Sequence, residues 1–262
     1  MTPIANYKVY DDHMAKSLID KMFFVDKVEP DIVVDFGCAD GAMLKGLKEY
    51  YPKTKFIGYD NDKKQLVKAR ENVNVSDYLF TDDWNTVVER VKNGFVAPAI
   101  VLSSIVHEIY TYSRPEEIDE FWDKVFGIFR YVIIRDMIPS KTIDRASDLN
   151  DVMKVYRKYN NSYELNDFTH VWGTIEQNKN LTHFLLKYRY KENWKREVKE
   201  NYLPLYREDL LALVPKGYEI VYHEHYVLPF IRNNIQEEFG IELKDNTHLK
   251  MILQKVNKGE QK

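Results

Sequence analysis

Cysteine is almost missing from this chain: Cys38 is the single one in 262 residues. One thiol excludes an intramolecular disulfide and argues against a zinc site built on cysteines. Long apolar runs are missing as well. None approaches the roughly 20 residues that cross a bilayer, so no membrane span is expected. The amino-terminal stretch Met1-Thr-Pro-Ile-Ala-Asn-Tyr-Lys has no apolar signal core, and residence in the cytoplasm is the expectation. Base is not in excess either. A net charge of −3 leaves no global signal for nucleic acid. There is no repeat and no low-complexity tract. What remains is 44% hydrophobic and 30% charged residues, the balance of a globular chain with enough apolar surface for a core. The length suits one large domain, or a domain carrying an insertion.

The most informative stretch is Asp31-Ile-Val-Val-Asp-Phe-Gly-Cys-Ala-Asp-Gly41. Ile32-Val33-Val34 lacks polar alternation, as a strand covered on both faces does. Gly37 and Gly41 bracket a turn, where glycine permits unusual dihedrals and close approach of a ligand. Residues 42–50 then follow with helical spacing. Strand, glycine turn and helix together present free backbone N–H groups to a nucleotide-like ligand. About twenty residues on, Lys55-Phe-Ile-Gly-Tyr-Asp60 reads as a second strand ending in a carboxylate, a position from which an acid can accept hydrogen bonds from both ribose hydroxyls.

This pairing resembles the class I S-adenosylmethionine-dependent methyltransferases. Their acid-x-Gly-x-Gly-x-Gly motif corresponds to Asp35-Phe-Gly37-Cys-Ala39-Asp40-Gly41, with Ala39 standing where the middle glycine would be. The Gly-x-Gly-x-x-Gly spacing of a dehydrogenase is absent. The resemblance implies an α/β fold: a mostly parallel seven-stranded sheet with helices on both faces and an antiparallel closing hairpin. It also implies S-adenosylmethionine as cofactor, bound by Asp35, Gly37, Ala39, Asp40, Gly41 and Asp60.

Residues 7–28 carry an amphipathic pattern through Met14, Leu18, Ile19, Met22, Phe23 and Val25. In the family resembled, such a helix often folds over the cofactor, a role open to Tyr7, Tyr10 and His13. Plain packing on the sheet is the competing reading. Asp62 reads as the cap of a helix reaching about residue 72. Residues 75–80 form a third candidate strand, followed by Thr81-Asp82-Asp83-Trp84. The resemblance gives Asp82 or Asp83 to the adenine amino group and Trp84 to the ring. Capping of a helix over 85–92 by aspartate competes evenly.

Ile100-Val101-Leu102 is the buried run of a fourth strand, which places Ser103 and Ser104 at the carboxyl edge of the sheet, where open α/β sheets bind ligands. Ser103 joins the cofactor candidates. His107 and Glu108 follow and are the catalytic candidates. An imidazole there can take a proton from a substrate hydroxyl or amine. Glu108 can orient that histidine or bind a substrate amine. A histidine bonded to the sheet edge is the structural alternative. Residues 115–129 fit a helix with Ile118, Phe121, Trp122, Val125 and Phe126 as its stripe, and residues 131–136 a fifth strand.

Residues 138–204 break the pattern. They read as helices over 147–159, 175–189 and 192–202, an insertion placed to cap a substrate pocket. Residues 1–137 and 205–262 then form the two parts of one domain. The insertion is rich in aromatics and bases, as in Lys187-Tyr-Arg-Tyr-Lys-Glu-Asn-Trp-Lys-Arg196. Residues 1–140 hold 18 Lys/Arg against 23 Asp/Glu, while residues 141–262 hold 20 against 18. Such a surface can bind phosphates and stack bases. A solvated helix with Tyr and Trp packed on one side looks the same, and acids such as Glu197 and Glu200 interleave. A helix over 207–214, a strand over 218–228 and a last strand over 248–255 complete the chain. His223 and His225 share a strand face without a third ligand, so no metal is assigned.

Three acceptor types are set aside. The Asn/Asp-Pro-Pro-aromatic motif of base amino-methyltransferases is absent after the fourth strand. Cys38 lies in the glycine turn, away from a pyrimidine C5 nucleophile's place. The Lys-Asp-Lys-Glu set of ribose 2′-O-methyltransferases lacks its aspartate. What remains is methyl transfer to an O or N atom of a small molecule, favoured, or of a protein. A nucleic-acid methyltransferase using the insertion is the second reading, and a non-catalytic cofactor-binding partner subunit the third.

Overall fold

A computed structural model describes residues 17–73 and 76–256. Leu18–Lys21 forms a short helix, α1, followed by turns. β1 (Ile32–Phe36), α2 (Ala42–Tyr50), β2 (Lys55–Tyr59), α3 (Lys63–Asn72), β3 (Tyr78–Thr81), α4 (Trp84–Lys92) and β4 (Pro98–Ser103) then alternate. α5 (Val106–Tyr112) and α6 (Pro115–Ile128) lead to β5 (Tyr131–Asp136). The helices α7 (Leu149–Tyr159), α8 (Tyr163–Trp172), α9 (Asn178–Lys187), α10 (Trp194–Glu197) and α11 (Arg207–Leu213) come next. β6 (Tyr218–Tyr226), α12 (Pro229–Phe239) and β7 (His248–Lys255) end the order.

The seven strands form one sheet in the order β3-β2-β1-β4-β5-β7-β6. β1 to β5 pair in parallel, and β7 runs antiparallel to both β5 and β6. Strand order reverses between β1 and β4, which opens a crevice at their carboxyl ends. Strand side chains alternate between faces, so the apolar runs feed two cores. Val34, Ile100, Leu102 and Ile134 pack with Trp122 and Phe129 on one face. Val33, Val101 and Ile133 pack with Phe24, Leu44 and Phe56 on the other. Burial on both faces is why these strands show no polar alternation, whereas the edge strand β6 is largely exposed.

Several expectations shift. Ile19 belongs to the expected apolar stripe yet is 90% exposed, because α1 lasts one turn, and the completely buried residue here is Phe24. Tyr7, Tyr10, His13 and Met14 lie outside the described residues, as does Val75 at the start of the expected third strand, which runs over Tyr78–Thr81. Residues 138–204 contain α8, a helix beyond those expected, and their last helix is only the single turn α10. α12 was not expected either. Its Ile235 and Phe239 pack with Tyr159, Phe168, Phe184 and Trp194, so the helices of 138–204 share their core with a segment between β6 and β7.

The Lys187–Arg196 stretch turns largely inward. Tyr188 and Trp194 are core residues, and Lys187 and Arg196 are buried; Arg189, Lys191 and Lys195 stay exposed. Tyr188 and Trp194 therefore serve packing, whereas Tyr190 is half-buried. No helix among the described residues is long and apolar enough to cross a membrane.

Candidate active site

The glycine turn sits at the carboxyl end of β1. Gly37 and Gly41 take φ of 84° and 77°, and Ala39 between them takes 46°, a left-handed conformation unusual for a residue with a Cβ. The turn is tied to β2: the N–H groups of Gly37 and Cys38 both donate to the Tyr59 carbonyl, at 2.8 and 3.0 Å. Asp60 completes the tie, its two oxygens accepting from the N–H of Ala39 (2.9 Å) and of Asp62 (2.8 Å). The positive φ of Gly37 favours glycine, and a Cβ there would also press on the Ile105 side chain at 3.0 Å. Asp40 accepts from the Ala42 N–H at 3.2 Å, starting α2.

Two carboxylates at this edge are electrostatically unusual. Burial pushes Asp35 up to about 7, against the pull of the buried Lys21, and burial brings Lys21 down to about 8. Burial also raises Asp60, which its two backbone donors partly oppose. At the end of β3, Asp83 caps α4, accepting from the N–H groups of Asn85 and Thr86 at 3.0 and 3.3 Å. Of the two roles open to Asp83, capping is the one formed. Asp82 is exposed and pairs with Lys63 at 3.3 Å. Trp84 stands edge-on to Phe36 and Tyr59, with ring centroids at 5.0 and 5.5 Å, so these aromatics flank the β1 and β2 ends. Ser103 is buried, and its Oγ has no hydrogen-bond partner among the described residues.

His107 is held on both sides. Its Nδ1 lies 2.7 Å from Asp136 Oδ1 and its Nε2 3.0 Å from Glu200 Oε1. Burial opposes a charged ring, yet the two carboxylates outweigh it and hold the imidazole well above its ordinary value. Both ring nitrogens of His107 thus face carboxylates, an arrangement that favours the charged ring and leaves neither nitrogen open. The expected catalytic histidine is thus flanked by Asp136 of β5 and by Glu200. Neither partner was among the candidates. Asp136 also accepts from the backbone N–H of Val106 (2.7 Å) and Met137 (2.7 Å), which fixes the start of α5 against β5.

Glu108, the next residue of α5, is mostly buried and lines a cavity. Arg196 Nη2 donates to it at 2.9 Å, and Arg196 Nε lies 3.5 Å from Glu200. Burial, followed by the Glu200 charge, pushes Glu108 up to about 8. The ligand atoms of His107, Glu108 and Glu200 lie within 4.8 Å of one another, the one such group among the described residues. The Arg196 guanidinium already supplies the positive charge there. His223 and His225 acquire no third ligand among the described residues.

A cavity of about 110 Å³ opens beside this cluster, lined by Ser104, Glu108, Arg135, Met137, Tyr190 and Arg196, among others. Ser104, Arg135 and Met137 at the carboxyl edge of β4 and β5 line one side, and residues of 186–202 with Leu228, Phe230 and Ile231 line the other. Asp60 feels the Arg196 charge and Glu108 feels Asp60, so the cavity and the glycine turn share one electrostatic neighbourhood. The sequence-predicted residues thus fall into two adjoining groups. Asp35, Gly37, Ala39, Asp40, Gly41 and Asp60 meet at β1 and β2, and Ser103, His107 and Glu108 meet at β4. Asp82 stands apart on the surface.

No family model matches the chain. Among solved structures, a SAM-dependent methyltransferase from Anabaena variabilis ATCC 29413 aligns over 97% of this chain and 96% of its own, with a TM-score of 0.50 at 14% identity. The chain has the class I methyltransferase fold. The mitomycin 7-O-methyltransferase aligns over 95% of this chain and 57% of its own, with a TM-score of 0.51 at 9% identity. In sequence, a trans-aconitate 2-methyltransferase of Mycolicibacterium gilvum (strain PYR-GCK) is 31% identical over 67 residues. That match spans 26% of this chain and 26% of the relative, about a quarter of each. In class I methyltransferase terms, the crevice between β1 and β4 is the place where the glycine turn, Asp60 and the cavity converge.

Proposed function

We propose that this chain is an S-adenosylmethionine-dependent methyltransferase acting on an O or N atom of a small molecule. One observation carries the reading: a glycine turn tied to the Asp60 carboxylate stands at the β1 and β2 ends, beside a roofed cavity at the β4 and β5 ends. The donor set fits the cofactor. Asp60 keeps lone pairs on both oxygens beyond its two backbone bonds, as a pair of ribose hydroxyls requires. Asp35 and Asp40 lie on the same turn, Ser103 has an unsatisfied buried hydroxyl, and Trp84 offers an aromatic flank. When bound, S-adenosylmethionine supplies a methyl group already activated on a sulfonium, so the protein's share is position, exclusion of water and, where needed, a base.

Glu108 is the base in this reading. Its elevated pKa matches proton removal near neutral to mildly alkaline pH. Arg196 holds its carboxylate, and the Asp136–His107–Glu200 row positions Arg196 from the sheet side. His107 is a positioning residue. The cavity's size suits a small acceptor. The test is incubation of cell extract with isotopically labelled methyl donor, with and without the protein. A labelled small molecule that forms only with active protein supports the reading. Label found only in macromolecules, or none beyond background, refutes it.

A further inference from the structure

The cavity joins an apolar wall to a set of ionisable groups. Met137 after β5, Leu186 of α9, and Leu228, Phe230 and Ile231 at the start of α12 supply the wall. Most of it is fixed by packing. Leu186 belongs to a small core with Ile143, Tyr202 and Leu203, and Met137 and Ile231 pack against that core. Phe230 differs: it lines the cavity yet is 38% exposed. A single exposed apolar residue is ordinary. A phenyl ring that stands with four other apolar side chains around one cavity is a surface for the body of a ligand.

The ionisable groups of the cavity are already matched within the protein. Arg135 donates to Asp20 at 2.8 Å, and Arg196 to Glu108 at 2.9 Å. His107 lies between Asp136 and Glu200, and Glu197 accepts from the Tyr202 hydroxyl. Burial holds His248 well below its ordinary value, so its ring is neutral near neutral pH. A charged ligand would enter with its charge unpaired or break one of these pairs, and both are costly away from water. An uncharged ligand meets neither cost. Its reacting group is constrained by Glu108, which burial pushes up to about 8. A phenol, with an ordinary value of about 10, is near enough for that carboxylate to share or take its proton, whereas an alkyl alcohol is far less acidic.

We propose that the methyl acceptor is an uncharged phenol, its ring packed on Phe230 and the apolar wall and its hydroxyl toward Glu108. This substrate class rests on the methyltransferase reading and narrows the acceptor atom to oxygen, although the binding site itself can be tested apart from it. Phe230 is a specificity-determining residue in this arrangement, touching the body of the acceptor and not its reacting group.

The experiment uses the full chain saturated with S-adenosylhomocysteine near neutral pH. The probes are p-cresol, p-toluidine, benzylamine and benzoate, single rings of similar size, and titration calorimetry reads their affinities. p-Cresol is expected to bind most tightly. The benzylammonium cation and the benzoate anion should bind roughly tenfold or more weakly, the scale of a charge left unpaired in a buried site. p-Toluidine, uncharged but a weaker hydrogen-bond donor, should fall between. Phe230→Ala should weaken p-cresol roughly tenfold through the lost ring contact and leave S-adenosylhomocysteine affinity unchanged. If that variant fails to fold, Phe230→Leu carries the same test with a smaller loss, because it keeps an apolar side chain but removes the ring. A charged probe or p-toluidine matching p-cresol, no binding of p-cresol, or p-cresol affinity unchanged in the folded variant would overturn the proposal. Failure of S-adenosylhomocysteine to bind, with Phe230-dependent p-cresol binding intact, would instead sink the methyltransferase reading and leave the pocket standing.

Discussion

Truncating His107 to alanine tests whether the imidazolium is a clamp or a solvent-facing base. The variant leaves Asp136 fully buried without its strongest partner, though its bonds from the backbone N–H groups of Val106 and Met137 remain. Glu200 loses a 3.0 Å contact but keeps Arg196 at 3.5 Å. Breaking a buried pair from one side costs about 3–5 kcal/mol, and the surviving donors place this case near the low end. For a domain of this size, about 3 kcal/mol lowers Tm by roughly 6–12 °C. The pH dependence carries a sign. A histidine whose folded pKa lies above its unfolded value stabilises fully below about 6.5 and loses that contribution as pH rises through the folded value. The gap in stability between wild type and His107→Ala is therefore expected to be widest near about pH 6 and to narrow toward strongly alkaline pH. Urea melts across that range measure it, and a double-mutant cycle with Asp136→Asn isolates the pair. A loss of under about 0.5 kcal/mol that does not change with pH, as at an ordinary surface position, would refute the clamp.

Once an acceptor is in hand, Glu108→Gln should lower turnover by roughly 10²–10⁴ with cofactor affinity nearly preserved. Wild-type rate should rise with pH through about 8 as Glu108 loses its proton, and the variant should lose that rise. Asp83→Ala should lower Tm slightly through the lost helix cap and leave S-adenosylmethionine affinity unchanged in calorimetry. A large affinity loss would return Asp83 to the cofactor site.

The parts of the fold legible in sequence are those where burial is uniform. Val33 and Val34 face opposite cores, so the run between Asp31 and Asp35 carries no polar residue and reads as a central strand. Glycines at positive φ mark the turn because few other residues tolerate it. α8 and α12 were harder. α8 buries only Leu165 and Phe168 among its apolar residues, and α12 only Ile235 and Phe239. α12 also opens with Pro229, which breaks a strand but is well placed in a helix's first turn. The site divides the same way. Asp60 follows its turn at a spacing that chemistry constrains, whereas Glu200 meets His107 across 93 residues and Arg196 meets Glu108 across 88. Such pairings depend on how residues 138–204 fold back toward the sheet, and no local pattern encodes them.

The central claim is a cofactor site at the glycine turn, and titration calorimetry of S-adenosylmethionine into wild type and Asp60→Ala tests it most directly. Asp60 bonds to two hydroxyls in this account, so its loss should weaken binding by about 1.5–3 kcal/mol, the range for hydrogen bonds to a charged group, with circular dichroism unchanged. No saturable heat with wild type, or equal affinity in the folded variant, would contradict it.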